Sequence, residues 1–294
     1  MPSKTTTLTS LKSIVAELDR EFDALAGRED LVQWAVTEEN CRWINPTFLK
    51  QKTGLMIVGL EKIHMVRTAV FVSDRIVQKL SHEAPCLLMT HHHFSWFEDE
   101  RGLQPVSAEQ IQALAKQGHS VYVSHAPLDT HPVYGTSVAL AAEVGIPSSG
   151  RFYEYFGVPT GVIGEVTEQN IQDFAEHVRK CLLRPRVHVV QHRPRVRKVA
   201  VVAGGGDLPD VLHEASDLGC DTMLLGTLEN RWAIRGVQDA HKEFLRLNEK
   251  LKLNLIGGSH FGTERPAMVR VLRFFEQKGV PSRYCEDEEL LSAL

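Results

Sequence analysis

Fourteen histidines occur in 294 residues, and three of them stand in a row at His91, His92 and His93. Histidine is the commonest metal ligand among side chains and titrates near neutrality, so the run matters most where it meets other ligand types. His91 and His92 directly follow the apolar run CLLMT. Asp129 lies in SHAPLDTHP just after SVYVS. His260 follows LNLIGG, and Glu264 stands four residues beyond it in HFGTERP. In open α/β sheets ligands collect outside the carboxyl ends of strands. Three such ends here carry three imidazoles and two carboxylates, a donor set for mixed nitrogen–oxygen metal chemistry. Five ligands exceed the needs of one tetrahedral ion. Shared between two ions roughly 3.5–4 Å apart, they leave positions for a bridging water and a substrate. If the strand continues through His91 and His92, their rings point to opposite sides, one ligand for each ion. Pro266, a favoured first-turn residue, places Glu264 at the start of the last helix rather than on a helix face.

The elements that must position these residues follow from periodicity. Leu11, Ile14, Val15, Leu18, Phe22 and Leu25 recur at helical spacing and predict an amphipathic opening helix. From residue 54, short apolar runs alternate with amphipathic stretches. Predicted strands are 55–59, 66–73, 86–90, 120–124, 161–166, 187–191, 199–204, 222–226 and 253–258. Helical patterns such as DRIVQKL, SAEQIQALAKQG and TEQNIQDFAEHVRKCLL lie between most of them. Alternation of this kind predicts an α/β protein with parallel or mixed sheets. The strands read as continuous apolar runs, as sheets covered on both faces do. Pro and Gly punctuate residues 145–161, the expected boundary between two lobes.

Composition narrows the function classes. Lys plus Arg is 33 against 37 Asp plus Glu, a net charge of −4, so bulk charge disfavours nucleic acid as a partner. An apolar fraction of 43% and a charged fraction of 24% exclude disorder and fibrous repeats. Five dispersed cysteines without a C-x-x-C pair argue against a disulfide framework or thiolate zinc site and for a reducing compartment. With no signal-peptide pattern at the start and no apolar run near the ~18 residues of a membrane span, the expectation is a cytoplasmic protein without membrane attachment.

THHHFSW (90–96), HAPLDTHPVYGTSVALAAEVGI (125–146) and GGSHFGTER (257–265) resemble, in the same order, the signature segments of the Nif-three-like dinuclear metal-centre family, also called GTP cyclohydrolase 1 type 2 homologues. TGLMIVGL (53–60) and VAVVAGGGDLPDVLHEASDLGCDTMLLGTL (199–228) are similar to further family segments. The resemblance runs from about residue 10 to near 280. It implies two intertwined α/β lobes with mixed sheets and a metal site in the cleft between them, with assembly into a homohexameric ring. The first lobe is expected over 1–150 plus 265–294 and the second over 151–264. The implied metal ligands are His91, His92, Asp129, His260 and Glu264. His125 matches a position beside the site, suited to proton transfer. The implied cofactors are two divalent ions per subunit, for which Fe, Zn, Mn, Co and Ni are all compatible. The implied activity is hydrolysis of GTP or a related nucleotide, with ring opening through a metal-bridged hydroxide. The alternative is a non-catalytic metal-binding ring for storage, delivery or regulatory scaffolding of protein partners. Three positions depart from the family pattern: His93, the aromatic pair Trp96 and Phe97, and Thr227 in place of an acidic residue.

Two other features allow two readings each. GGGD (204–207) is either a phosphate cradle at a helix start or a tight turn that needs positive φ. RPRVHVVQHRPRVRK (184–198) is either a phosphate- or nucleic-acid-binding stretch or the solvated face and ends of strands, or an oligomer contact. His188 and His192 in it read as surface or strand residues. The acidic ending EDEELLSAL reads as a solvated tail or a short terminal helix.

Overall fold

The computed structural model describes residues 8–22, 38–155, 157–229 and 235–293. The chain opens with β1 (Thr9–Ser10), α1 (Leu11–Glu21), α2 (Glu38–Cys41), α3 (Pro46–Gln51), β2 (Gly54–Ile57), β3 (Lys62–Ile63) and β4 (Val66–Ala69). It continues through α4 (Asp74–Leu80), β5 (Leu87–Thr90), β6 (Phe94–Trp96), β7 (Leu103–Pro105), α5 (Ala108–Lys116), β8 (Ser120–Val123), α6 (Ala126–Asp129) and α7 (Thr136–Glu143). Next come β9 (Ser148–Tyr155), β10 (Val158–Asn170), α8 (Ile171–Cys181), β11 (His188–Val190), β12 (Arg195–Val202), α9 (Pro209–Asp217) and β13 (Thr222–Leu225). The last elements are α10 (Arg235–Leu251), β14 (Asn254–Gly257), α11 (His260–Arg270), α12 (Leu272–Gln277), β15 (Ser282–Tyr284) and α13 (Glu288–Ser292). The fold is α/β with mixed sheets, as the alternating pattern predicts. Each predicted strand has its counterpart.

The residues group into two compact units, and the chain passes between them more than once. The first comprises 1–96, 103–128 and 268–287; the second comprises 97–102, 129–267 and 288–294. Residues 129–150 group with the second unit because Leu140, Ala141, Val144 and Ile146 pack into the core formed with Val162, Val199 and Val201. The Pro/Gly punctuation at 145–161 spans the turn from α7 into β9, β9 itself and the turn into β10. At the other end, only 268–287 join the first unit.

In the first unit the sheet order is β15-β4-β5-β8-β2. Strands β4, β5, β8 and β15 are parallel, and β2 closes one edge antiparallel to β8. Parallel pairing brings the carboxyl ends of β4, β5 and β8 to one side. Ser73 and Ser107 cap α4 and α5, the latter through a reciprocal capping box with Gln110. Helix α1 buries Leu11, Ile14 and Leu18, the expected face; Leu25 lies outside the described residues.

The second unit carries a six-stranded sheet in the order β11-β14-β13-β12-β10-β9, parallel over β12, β13 and β14. Its strands explain their own apolar sequences. Side chains alternate across a strand. Val199, Val201, Leu224 and Ile256 thus enter a core with Phe174 and Val178 of α8. Ala200, Val202, Met223, Leu225 and Leu255 enter another core with Leu212 of α9 and Phe244 of α10. Both faces are covered, so no position in VAVV can be polar. Asn170 caps α8, whose Ile171, Phe174, Ala175 and Val178 form one buried stripe.

All five cysteines are free thiols. Among the described residues, no helix is long and apolar enough to cross a membrane. Leu224 is fully buried at the centre of the second sheet. Leu224→Ala should therefore lower unfolding free energy by about 2–5 kcal/mol, read from the midpoint of urea denaturation.

Candidate metal centre

In the first unit the ligand candidates sit where parallel strands end. Past the end of β5, His91 N donates to Ala69 O at 3.3 Å and His92 N to Val70 O at 3.0 Å. Ser124 N donates to Thr90 O at 3.0 Å and brings the end of β8, with His125 after it, beside the double His. The His91 and His92 rings lie 4.3 Å apart, and each is 4.7 Å from the His125 ring. One ring nitrogen from each of the three lies within 4.8 Å of the others. This corrects the expectation that adjacent histidines diverge. Regular strand structure ends at Thr90 and the chain bends at His91, so the period-two alternation no longer applies.

The tautomer of His91 follows from its neighbour. Nδ1 is 3.0 Å from the Ser124 carbonyl oxygen. A carbonyl only accepts, so Nδ1 carries the proton and the lone pair is on Nε2. An imidazole held in this way by a backbone carbonyl is the usual arrangement of a metal-ligating histidine. His91 is fully buried and His92 nearly so. The His92 ring stacks on Phe71, with centroids 4.6 Å apart and planes 7° from parallel, and Phe94 lies 4.5 Å away. Phe71 in turn stacks on Trp96 at 5.8 Å. The aromatic residues after the double His thus form a wall behind one ligand candidate, lowering the local dielectric. His93 turns to Phe48, 5.6 Å away, and is not in the three-histidine cluster.

The second unit supplies an imidazole and a carboxylate from one helix. His260 Nε2 lies 3.1 Å from Glu264 Oε1, and both residues are buried. They are residues 1 and 5 of α11 and share a face. This corrects the reading of Pro266 as a first-turn residue: Pro266 lies inside α11. The helix begins earlier because Ser259 caps it. Ser259 Oγ accepts from Gly262 N at 2.9 Å, and its carbonyl accepts from Thr263 N at 3.1 Å. Glu98 Oε1 accepts from Phe261 N at 3.0 Å, a carboxylate against the positive end of the helix. Ser259 itself has φ 68°, a costly value for a non-glycine residue.

The GGGD turn belongs to this pair. Gly204 has φ 70°, and a β-carbon there would lie 2.2 Å from Glu264 Oε1 and 3.4 Å from His260 Nε2. Gly204 N donates to Thr263 Oγ1 at 3.0 Å, and its carbonyl accepts from Thr227 N at 2.9 Å. The turn makes room for a carboxylate, which is the wrong charge to share a cradle with phosphate. Of the two readings of this segment, the tight turn fits. Thr227 Oγ1 stands 3.4 Å from His260 Nδ1, so a neutral hydroxyl faces the imidazole at the family's usually acidic position.

Asp129 is the last residue of α6 and accepts from Thr136 Oγ1 at 2.6 Å, near the start of α7. Among the described residues it belongs to no cluster of three metal-capable side chains. Tyr153 is nearby, its phenol pushed up by burial and by the negative charge of Asp129, Asp210 and Glu214. In the basic stretch, Arg195 and Arg197 are exposed beside Glu168 and Glu165, as a solvated strand face requires. His188 lies 2.8 Å from Glu229. Arg184 departs from that description. It is buried and donates to the carbonyls of Leu290, Leu291 and Ala293 at the end of α13.

Deprotonated imidazole nitrogens and a buried carboxylate suit a divalent ion of borderline hardness, so these side chains can hold a metal. Gly204, Ser259, Thr263 and Glu98 support the ligands without being ligands. A Ser directly before His260 was the sequence signal for the early helix start. Gly204→Ala introduces both backbone strain and a collision, whereas Gly219→Ala, at φ 76° with nothing within 4 Å of its β-carbon, introduces only strain. Gly204→Ala should therefore cost more, by about 1–3 kcal/mol, in paired chemical denaturation curves.

The chain is similar to known proteins over most of its length. A GTP cyclohydrolase 1 type 2 homolog from Pyrococcus abyssi is 26% identical over 234 residues, 78% of this chain and 86% of its own. The solved structure of ybgI, a protein of unknown function, superposes with a TM-score of 0.72 at 17% identity, covering 95% of this chain and 98% of that one. Reduced HcgD from Methanocaldococcus jannaschii gives 0.66 at 18% identity, covering 96% and 100%. At these identities the two structures speak for the fold. Residues 49–284 match the Duf34/NIF3 (NGG1p interacting factor 3) family, and the chain belongs to it.

Proposed function

We propose that this protein is a metal-dependent hydrolase acting on GTP or a related nucleotide, with two divalent ions per subunit held by His91, His92, Asp129, His260 and Glu264. The observation that carries the reading is the His91 Nδ1 to Ser124 carbonyl contact at 3.0 Å, which commits Nε2 to the role of an electron-pair donor. The clustering of His91, His92 and His125 and the His260–Glu264 pair support it further. The nucleotide enters from the name borne by the Pyrococcus abyssi relative. The proposal includes a homohexameric ring and a cytoplasmic location.

Bound divalent ions supply Lewis acidity and lower the pKa of water. The rest falls to the chain's own side chains. The Ser124 carbonyl fixes the plane and tautomer of His91. The Phe71 and Phe94 rings keep bulk water from one side of His92. Thr136 holds the Asp129 carboxylate by a 2.6 Å hydrogen bond. Gly204 allows Glu264 to approach His260. His125, half-buried beside the other two rings, takes the proton of the attacking water at a ring nitrogen.

Metal content by mass spectrometry tests the site. Wild-type protein should carry about two ions per chain, and His91→Ala and His260→Ala should each lose metal while remaining folded. Fewer than one ion in protein purified without chelator would overturn the paired centre. Turnover of GTP by the loaded wild type and its loss in His91→Ala would support the hydrolase. Full metal with equal background rates in both would favour storage or scaffolding instead.

A further inference from the structure

A second buried imidazole–carboxylate pair lies in the second unit, outside the candidate metal ligands. His241 Nδ1 is 2.8 Å from Asp207 Oδ2, and both residues are buried. The His241 ring also stacks on Phe244, with centroids 6.3 Å apart. Among the described residues, its other nitrogen, Nε2, makes no hydrogen bond. An imidazole oriented by a buried carboxylate at Nδ1, with Nε2 left for another molecule, is the arrangement by which acid–base histidines are held in one tautomer and stabilised when protonated.

The topology places this pair at the chemically equipped end of the sheet. Asp207 lies in the loop after β12, three residues past Gly204, so the two α-carbons are at most about 11 Å apart. Gly204 is the residue whose backbone meets Glu264. Helix α10 starts after the carboxyl end of β13. His241 is its seventh residue, about 9 Å along the axis.

We propose that His241, oriented by Asp207, is a catalytic general acid that protonates the leaving atom of the substrate. The inference rests on the hydrolase reading above and deepens it. As the water oxygen bonds to phosphorus or carbon, its proton passes to the general base of that reading. As the bond to the leaving oxygen or nitrogen breaks, Nε2–H of the His241 imidazolium gives that atom a proton. Solvent then takes up the water's proton and restores one to His241, so water is the sole co-reactant. The substrate class this fits has a leaving group too basic to depart as an anion, such as an alkoxide, a phenoxide or a ring amine.

The test uses metal-loaded full-length protein with GTP, phenyl phosphate and p-nitrophenyl phosphate. His241→Gln and Asp207→Asn should retain metal and KM. With phenyl phosphate, kcat should fall about 10²-fold or more in His241→Gln. With p-nitrophenyl phosphate, whose leaving group needs no proton, it should fall far less. If the wild type turns over GTP alone, added imidazole should restore part of the kcat lost in His241→Ala. Independently of turnover, diethyl pyrocarbonate should modify His241 in the folded protein, read by peptide mass spectrometry. Equal losses on both aryl esters, no imidazole rescue, wild-type kcat in the variants or an unmodified His241 would each overturn the assignment while leaving the hydrolase reading in place. Wild-type inactivity on all three substrates would instead remove the hydrolase reading, and this role with it.

Discussion

A β-carbon on residue 204 would lie 2.2 Å from Glu264 Oε1, well inside any permitted contact, and much of the second unit follows from that closeness. The backbone can approach a carboxylate so nearly only where there is no side chain and φ is free to be positive. Gly204 meets both conditions. Its N–H is taken by Thr263 and its carbonyl by Thr227 N, so the loops after β12 and β13 and the first turn of α11 are fixed together. Gly226 extends the same constraint, since a β-carbon there would meet the Gly204 carbonyl oxygen at 1.9 Å. Two glycines at the ends of adjacent parallel strands thereby set where the imidazole and carboxylate of α11 stand.

The first unit solves a similar problem by hydrogen bonding. Three imidazoles brought together in an apolar surrounding would be costly if charged. The Ser124 carbonyl accepts from His91 and removes any choice of tautomer there. Phe71, Phe94 and Trp96 then build low dielectric around His92. Such a wall strengthens the electrostatic interactions made beside it. It also gives the aromatic departure from the family pattern at Trp96 a physical role in this chain.

What could be read from the sequence was whatever depends on periodicity. Strands covered on both faces must be apolar throughout, so VAVV and TMLL announced themselves, as did the stripes of α1 and α8. The ligand candidates were legible because chain order alone places them after strands. Their directions were not. His91 and His92 converge because the strand ends at Thr90, which depends on where ladder pairing stops and not on residue type. The start of α11 was hidden by Pro266, a strong local signal that proved weaker than the Ser259 cap and the Glu98 carboxylate on Phe261 N. Helix α7 joins the second unit by burying Leu140, Ala141 and Val144, a choice of partner that local composition does not encode. Arg184 reads as one more surface cation until its carbonyl partners at the end of α13 are seen.

Among the described residues, the two buried acid–imidazole pairs of the second unit differ in geometry. In the His260–Glu264 pair, Nε2 faces the carboxylate at 3.1 Å, and a threonine hydroxyl stands 3.4 Å from Nδ1. Both members of that pair present electron pairs to the same small space, which suits a cation. In the His241–Asp207 pair the carboxylate faces Nδ1 at 2.8 Å, and Nε2 is directed away from it by the geometry of the ring. The first pair places two electron-pair donors side by side on one helix face, whereas the second holds an imidazole in one orientation through a single ring nitrogen.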